Sequence, residues 1–116
     1  MEVVNKPWGY EKWIHQGRYV FKEIFMKKDT RSSLQYHKQK EETNYIVKGM
    51  GLLSLDGVAY HLSPGTTFHV LPNKIHRVRA VTDLLMIEAS TPEVDDVIRL
   101  QDDTNRPDGR IESEHK

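Results

Sequence analysis

Leu52-Leu53-Ser54-Leu55-Asp56-Gly57-Val58-Ala59-Tyr60-His61-Leu62-Ser63-Pro64-Gly65 is the stretch whose reading decides the fold. Two runs of strand length flank Asp56-Gly57, a dipeptide suited to a two-residue hairpin because both positions tolerate positive φ. Ser63-Pro64-Gly65 then supplies a second tight reversal. Working outward, the same rhythm recurs. Tyr19–Met26, Ser33–His37 and Thr43–Val47 precede the hairpin; Thr67–Val70, Ile75–Ala80 and Leu84–Ala89 follow it. About nine short strands at roughly eight-to-twelve-residue spacing predict an all-β barrel or sandwich. No long window carries the apolar period of a helix; one helical turn is predicted near Glu93–Ile98, after Pro92. Residues 1–106 are expected to form one domain, and the polar residues 107–116 a fraying tail.

The composition narrows the function classes. Lys plus Arg total 17 and Asp plus Glu total 17, so the formal charge is zero. Sequence-independent nucleic-acid binding needs a basic surface, so no nucleic-acid partner is expected. No apolar run approaches the ~20 residues of a membrane span, so no membrane partner is expected either. The start, Met1-Glu2-Val3-Val4-Asn5-Lys6, lacks the pattern of a signal peptide, and a cytoplasmic location is the expectation. There is no cysteine, which rules out disulfides, thiolate metal sites and cysteine nucleophiles.

A metal constellation fits within those limits. Residues two apart in a strand face the same side, so Gln35 and His37 can point to one spot inside a barrel. Glu42 begins the next strand across a short turn, and His76 opens a later strand after the loop Leu71-Pro72-Asn73-Lys74-Ile75. Two imidazoles, one carboxylate and one amide oxygen make a mixed nitrogen and oxygen shell for one divalent ion, Zn, Mn, Fe, Co or Ni. His15, His61, His69 and His115 read as surface or core residues, His69 being the most open because Thr67, His69 and Leu71 can share a face.

These residues also resemble a known pattern. Gln35-x-His37, Glu42 and Gly49 follow the spacing of the first cupin motif, with Gln in place of its first His and Asp29 at its opening Gly. Gly65, Leu71, Asn73, His76 and Ala80 follow the second motif; Asn73 stands where that motif has Gly, and Asn also visits left-handed backbone. Lys6-Pro7-Trp8-Gly9, the run Arg31 to Asn44, His76-Arg77, Ile87-Glu88 and Asp95 to Asp103 resemble, more specifically, the isomerase domain of type II mannose-6-phosphate isomerases. The resemblance covers roughly residues 6 to 106. The chain departs from that family at Lys40, where the family has Arg, and at Thr43 and Asn44, where it has His and Trp.

The resemblance implies a cupin barrel, a double-stranded β-helix or jelly roll. It implies a metal-dependent aldose–ketose isomerase acting on a phosphosugar, most simply mannose 6-phosphate to fructose 6-phosphate. Glu88 is then the candidate general base and Arg77 a second catalytic candidate, although alternation turns Arg77 away from the metal side. Arg31 and Lys40 are candidates for holding phosphate; a solvated face is the alternative for both. Trp8 either walls the sugar pocket or covers the core. Arg99, Asp102, Asp103 and Arg106 read as surface ion pairs pinning the C-terminal segment. A homodimer formed through edge strands is the expected assembly. Two other function classes stay open: a non-catalytic sugar- or metabolite-binding cupin, and another metal-dependent cupin enzyme such as a dioxygenase or lyase.

Overall fold

The computed structural model describes residues 2–93, 96–101 and 109–111. Among them are twelve strands and no helix: β1 Glu2–Lys6, β2 Gly9–Gln16, β3 Val20–Met26, β4 Leu34–Tyr36, β5 Glu42–Lys48, β6 Gly51–Leu55, β7 Val58–Leu62, β8 Thr67–Val70, β9 His76–Ala80, β10 Leu84–Ser90, β11 Val97–Gln101 and β12 Gly109–Ile111. They form two antiparallel sheets, ordered β1-β2-β3-β10-β5-β8 and β12-β11-β4-β9-β6-β7. From β3 to β10 the chain passes repeatedly between the sheets and lays four strands in each. That winding is a jelly roll, so the expected all-β barrel is the fold observed. No helix among the described residues is long and apolar enough to cross a membrane.

The opening hairpin forms as its sequence requires. Asp56 and Gly57 take φ of +48° and +81°, and β6 pairs with β7 from Leu55↔Val58 to Gly51↔Leu62. Two expectations need correction. The helical turn near Glu93–Ile98 is absent where the chain is described: Val97 and Ile98 begin β11, because their alternate side chains find a place against β4. An N-terminal hairpin, β1 with β2, adds two strands that the apolar pattern did not indicate. In the expected tail, Gly109–Ile111 pairs with β11, and its other residues lie outside those described.

The inner wall follows the two-residue period of each strand. Ile24, Met26, Ile46, Leu53, Leu62, Val78, Ala80, Leu84 and Met86 form one buried apolar cluster, with Trp8 at its edge. Further along the same strands the inward residues become polar: Lys22 on β3, Glu42 and Asn44 on β5, His76 on β9 and Glu88 on β10 are all buried. The register aligns these changes, since Met26 is opposite Leu84 and Lys22 opposite Glu88. One end of the barrel is therefore core, and the other holds a buried polar cavity.

Candidate metal centre

Three side chains from separate segments meet in that cavity. His37 follows β4, Glu42 opens β5 and His76 opens β9; their potential ligand atoms lie within 4.8 Å of one another, and all three residues are buried. Gln35 is opposite His76 across β4 and β9, so the two project to the same face, and Gln35 lines the same cavity. Its Oε1 accepts a hydrogen bond from Ser33 Oγ at 3.3 Å.

The surroundings orient the ligands. His37 Nδ1 lies 2.7 Å from the Asp96 carbonyl oxygen and His76 Nδ1 lies 2.9 Å from that of Lys74. A carbonyl can only accept, so each Nδ1 carries a hydrogen and each Nε2 is the ring atom left for a metal. Backbone carbonyls commonly fix metal-ligating imidazoles in this way. The loop before His76 is tied at both ends: Asn73 donates its N–H to the His37 carbonyl at 2.6 Å, and Ile75 donates to Asp56 Oδ1 at 2.9 Å. Asn73 makes its turn at φ +68°. Asp96 also accepts N–H bonds from Gln39 at 2.6 Å and Lys40 at 3.1 Å, closing the turn between His37 and Glu42.

Charge in the cavity is paired but crowded. Glu42 Oε2 accepts from Asn44 Nδ2 at 2.8 Å, and Lys40 Nζ is 3.6 Å from Glu42 Oε1 and 3.0 Å from Glu88 Oε2. Lys22 continues the chain, 3.2 Å from Glu11 and 3.9 Å from Glu88, with its ammonium 4.0 Å from the Trp13 ring centroid. Burial alone would raise the Glu42 carboxyl, but the charge of Lys40 beside it holds it well below the usual carboxylate range. Burial pushes the His76 imidazole below its ordinary value, keeping it neutral. For Lys40, burial is outweighed by Glu88, Glu42 and Glu11, which raise it.

The residues fit a metal ion on one observation above all. His37 Nε2 is buried without a hydrogen-bond partner, yet Glu42 Oε1 is only 3.3 Å away. A divalent ion held between these two atoms would satisfy both. The donor set, two imidazoles and a carboxylate with an amide alongside, suits a borderline divalent ion.

The other expected site residues divide. Glu88 lines the cavity and is 4% exposed, so it is not a surface carboxylate. Lys40 also lines it, with its charge set between two carboxylates rather than on a solvated face. Trp8 belongs to the core cluster and also lines the cavity. Arg77 does not reach the cavity: its guanidinium donates to the backbone carbonyls of Ser32 at 2.8 Å and Gln101 at 3.4 Å. Alternation from His76 puts it on the outer face. Arg31 is exposed, bridges to Arg79 and does not line the cavity. His69 is exposed between Thr43 and Glu41; His15 and His61 are exposed too, and His115 lies outside the described residues. Sequence reasoning missed Glu11, Lys22, Asn44, Asp96 and Arg99. Arg99 corrects the surface-pair reading, being 5% exposed and part of the cavity wall; Asp102, Asp103 and Arg106 lie outside the described residues. Glu11 and Lys22, at inward positions of the paired strands β2 and β3, were the available signal.

Comparison with known proteins matches this picture. The family model described as mannose-6-phosphate isomerase C-terminal matches residues 1–102. Among curated proteins none matches the sequence. Of solved structures, KdgF from Halomonas sp. superposes with a TM-score of 0.72 at 19% identity, over 82% of this chain and 89% of that one. Ectoine synthase from P. lautus gives 0.72 at 18% identity, over 78% and 68%. An RmlC-like cupin from Shewanella frigidimarina gives 0.70 at 20% identity, over 78% and 83%. At such identities these likenesses speak for the cupin fold alone.

Proposed function

The chain belongs to the mannose-6-phosphate isomerase C-terminal family, and from that premise we propose that it is a metal-dependent aldose–ketose isomerase of a phosphosugar, with mannose 6-phosphate to fructose 6-phosphate as its reaction. The observation that carries this reading is the convergence of His37, Glu42 and His76 in a buried cavity that a further carboxylate, Glu88, also lines.

In this reading His37, Glu42 and His76, with Gln35, hold one divalent ion. Such an ion, when bound, supplies electrostatic stabilisation to negative charge developing on sugar oxygens. The chain's own residues do the rest. Isomerisation moves a proton between two adjacent sugar carbons, so a base must lie within hydrogen-bond reach of that proton. Glu88 is the base we assign. Lys40 Nζ lies 3.0 Å and Lys22 Nζ 3.9 Å from its Oε2, so two cations stand beside the carboxylate. Asn44 holds Glu42 in place from the opposite oxygen. The cavity, of about 80 Å³, has room for several waters or one small polar ligand. Four cationic side chains line it against three carboxylates. A bound divalent ion increases that positive excess, which favours an anionic ligand.

The test is to load the purified chain with each candidate metal and follow conversion of mannose 6-phosphate. We expect turnover that disappears on chelation and returns with metal, and a Glu88→Gln variant that retains metal but loses about 10²–10⁴-fold in kcat. No turnover with any hexose or pentose phosphate would overturn the isomerase reading. Ligand-dependent thermal stabilisation without turnover would instead favour a binding cupin, a reading that the pairing of Glu88 with Lys40 makes worth testing.

A further inference from the structure

The three residues that meet in the cavity are not held alike. Glu42 is paired with Ser90 and Val70, and His76 with Gln35 and Leu55, so each has a strand on either side. His37 is in no strand: it follows the three-residue β4 and opens the turn that leads to Glu42. Its carbonyl accepts the Asn73 N–H, but strand pairing fixes neither its ring nor the turn after it.

Two residues at the ends of the connection from β10 to β11 do that work. Thr91 donates its N–H to the Glu41 carbonyl at 3.0 Å, and Glu41 donates its own N–H to Thr91 Oγ1 at 3.0 Å. Asp96 does more. Its Oδ2 accepts the N–H groups of Gln39 at 2.6 Å and Lys40 at 3.1 Å, and its backbone carbonyl accepts the Nδ1 hydrogen of His37 at 2.7 Å. One residue therefore sets the His37 ring and the backbone that carries Lys40 and Glu42. Asp96 is 6% exposed, and bonds from amides to a carboxylate are stronger than bonds between neutral groups. The next residue, Val97, begins β11, whose pairing with β4 is short and has one irregularity. Asp96 is thus the point at which β11 is tied to the metal turn.

We propose that Asp96 is the positioning residue of the metal centre, and that through it metal binding and attachment of β11 form one linked equilibrium. This rests on reading His37, Glu42 and His76 as a metal centre and needs nothing from the sugar chemistry. An imidazole held by a carbonyl on Nδ1 presents Nε2 in a fixed direction. A ligand ordered in advance loses less freedom when the ion binds. The effect runs both ways: whatever factor Asp96 adds to metal affinity, bound metal adds to the hold of Asp96 on the turn. Metal therefore secures β11, and a loosened β11 weakens the metal.

The test titrates the full chain with cobalt(II), followed by its visible absorption, for the wild type, Asp96→Ala and Asp96→Asn. Asp96→Ala should bind the ion about tenfold to a hundredfold more weakly than the wild type. Asp96→Asn, which keeps a side-chain oxygen for the Gln39 and Lys40 amides, should restore most of that loss. A second measurement needs no variant. Amide hydrogen exchange of the wild type, with and without cobalt(II), compares β11 with β7 at the other side of the same sheet. Metal should slow exchange in β11 by a larger factor than in β7, and this comparison decides if Asp96→Ala does not fold. Equal cobalt affinity in the three chains, or equal slowing in the two strands, overturns the proposal. A wild type that binds no cobalt sinks the metal centre and this inference with it; a wild type that binds cobalt with an affinity indifferent to Asp96 sinks the positioning role alone.

Discussion

Met26, Ile46, Ala80 and Leu84 face one end of the barrel interior, whereas Lys22, Glu42, His76 and Glu88, from the same four strands, face the other. β10 pairs with β3 without a break through both regions, and with β5 across one register shift between Leu85 and Met86. The difference lies in what burial does to the side chains. At the apolar end each buried residue adds roughly 1.5–3 kcal/mol by leaving water. At the polar end burial is costly, and each charge is tolerated because another stands beside it. Stability alone does not select such an end, since packed apolar residues of similar volume often do as well or better. A ligand site accounts for it.

Removing a ligand should produce the largest effect and confine it to one region. His37→Ala is expected to reduce bound metal to background with loss of metal-dependent turnover, while His15→Ala, on the exposed surface, leaves loading unchanged. Metal analysis of purified protein checks this. Full occupancy in His37→Ala would break the assignment of the polar end.

Lys40→Met comes next. It strips the cation shared by Glu42 and Glu88 and should cost about 3–5 kcal/mol, because carboxylates remain buried without it. Adding Glu88→Leu should recover much of that loss. Urea unfolding of the two single variants and the double variant measures the coupling, and simple additivity would show that the pair does not act as one unit.

At the apolar end, Leu53→Ala should cost about 2–5 kcal/mol through lost burial and the cavity left behind. Its metal content at saturating metal should stay at the wild-type level in conditions where the chain is folded. Loss of metal from folded Leu53→Ala would mean that the two ends are not separable.

The same contrast explains how far the sequence could be read. The apolar strands and the Asp56-Gly57 hairpin announce themselves through period and turn chemistry. Glu42 and His76 each open a strand where the sequence places them. Asn73 was legible as a left-handed residue, and Asp29, at the other substituted Gly position, is one too, at φ +65°. What escaped notice is polar and inward. Glu11 and Lys22 point into the barrel while Phe21 and Phe25 lie on its outer side, half-buried, which inverts the usual reading of β3 and hides the β1–β2 hairpin. Arg99 escaped for a related reason: a charged residue near a chain end reads as solvated until register places it opposite Gln35. Polarity marks the face only when one knows that the interior is a cavity.

The smallest expected effect concerns the tie between the hairpin and the metal loop. Asp56 accepts the Ile75 N–H at 2.9 Å, lies 3.2 Å from Lys74 Nζ and donates its own N–H to the Ile75 carbonyl at 2.8 Å. The Ile75 amide first, and Lys74 after it, hold its carboxyl below the ordinary 3.8. A carboxyl lowered on folding adds stability above its unfolded value, and this contribution fades as pH falls through the folded value. Asp56→Asn keeps an acceptor oxygen and tolerates the turn's φ of +48°, so it removes little but the charge. The variant should melt slightly below the wild type at neutral pH, the gap closing under acid and shrinking with added salt because the group is exposed. Paired melts across pH read this directly, and a gap independent of both pH and salt would show that the charge does not secure the loop that delivers His76.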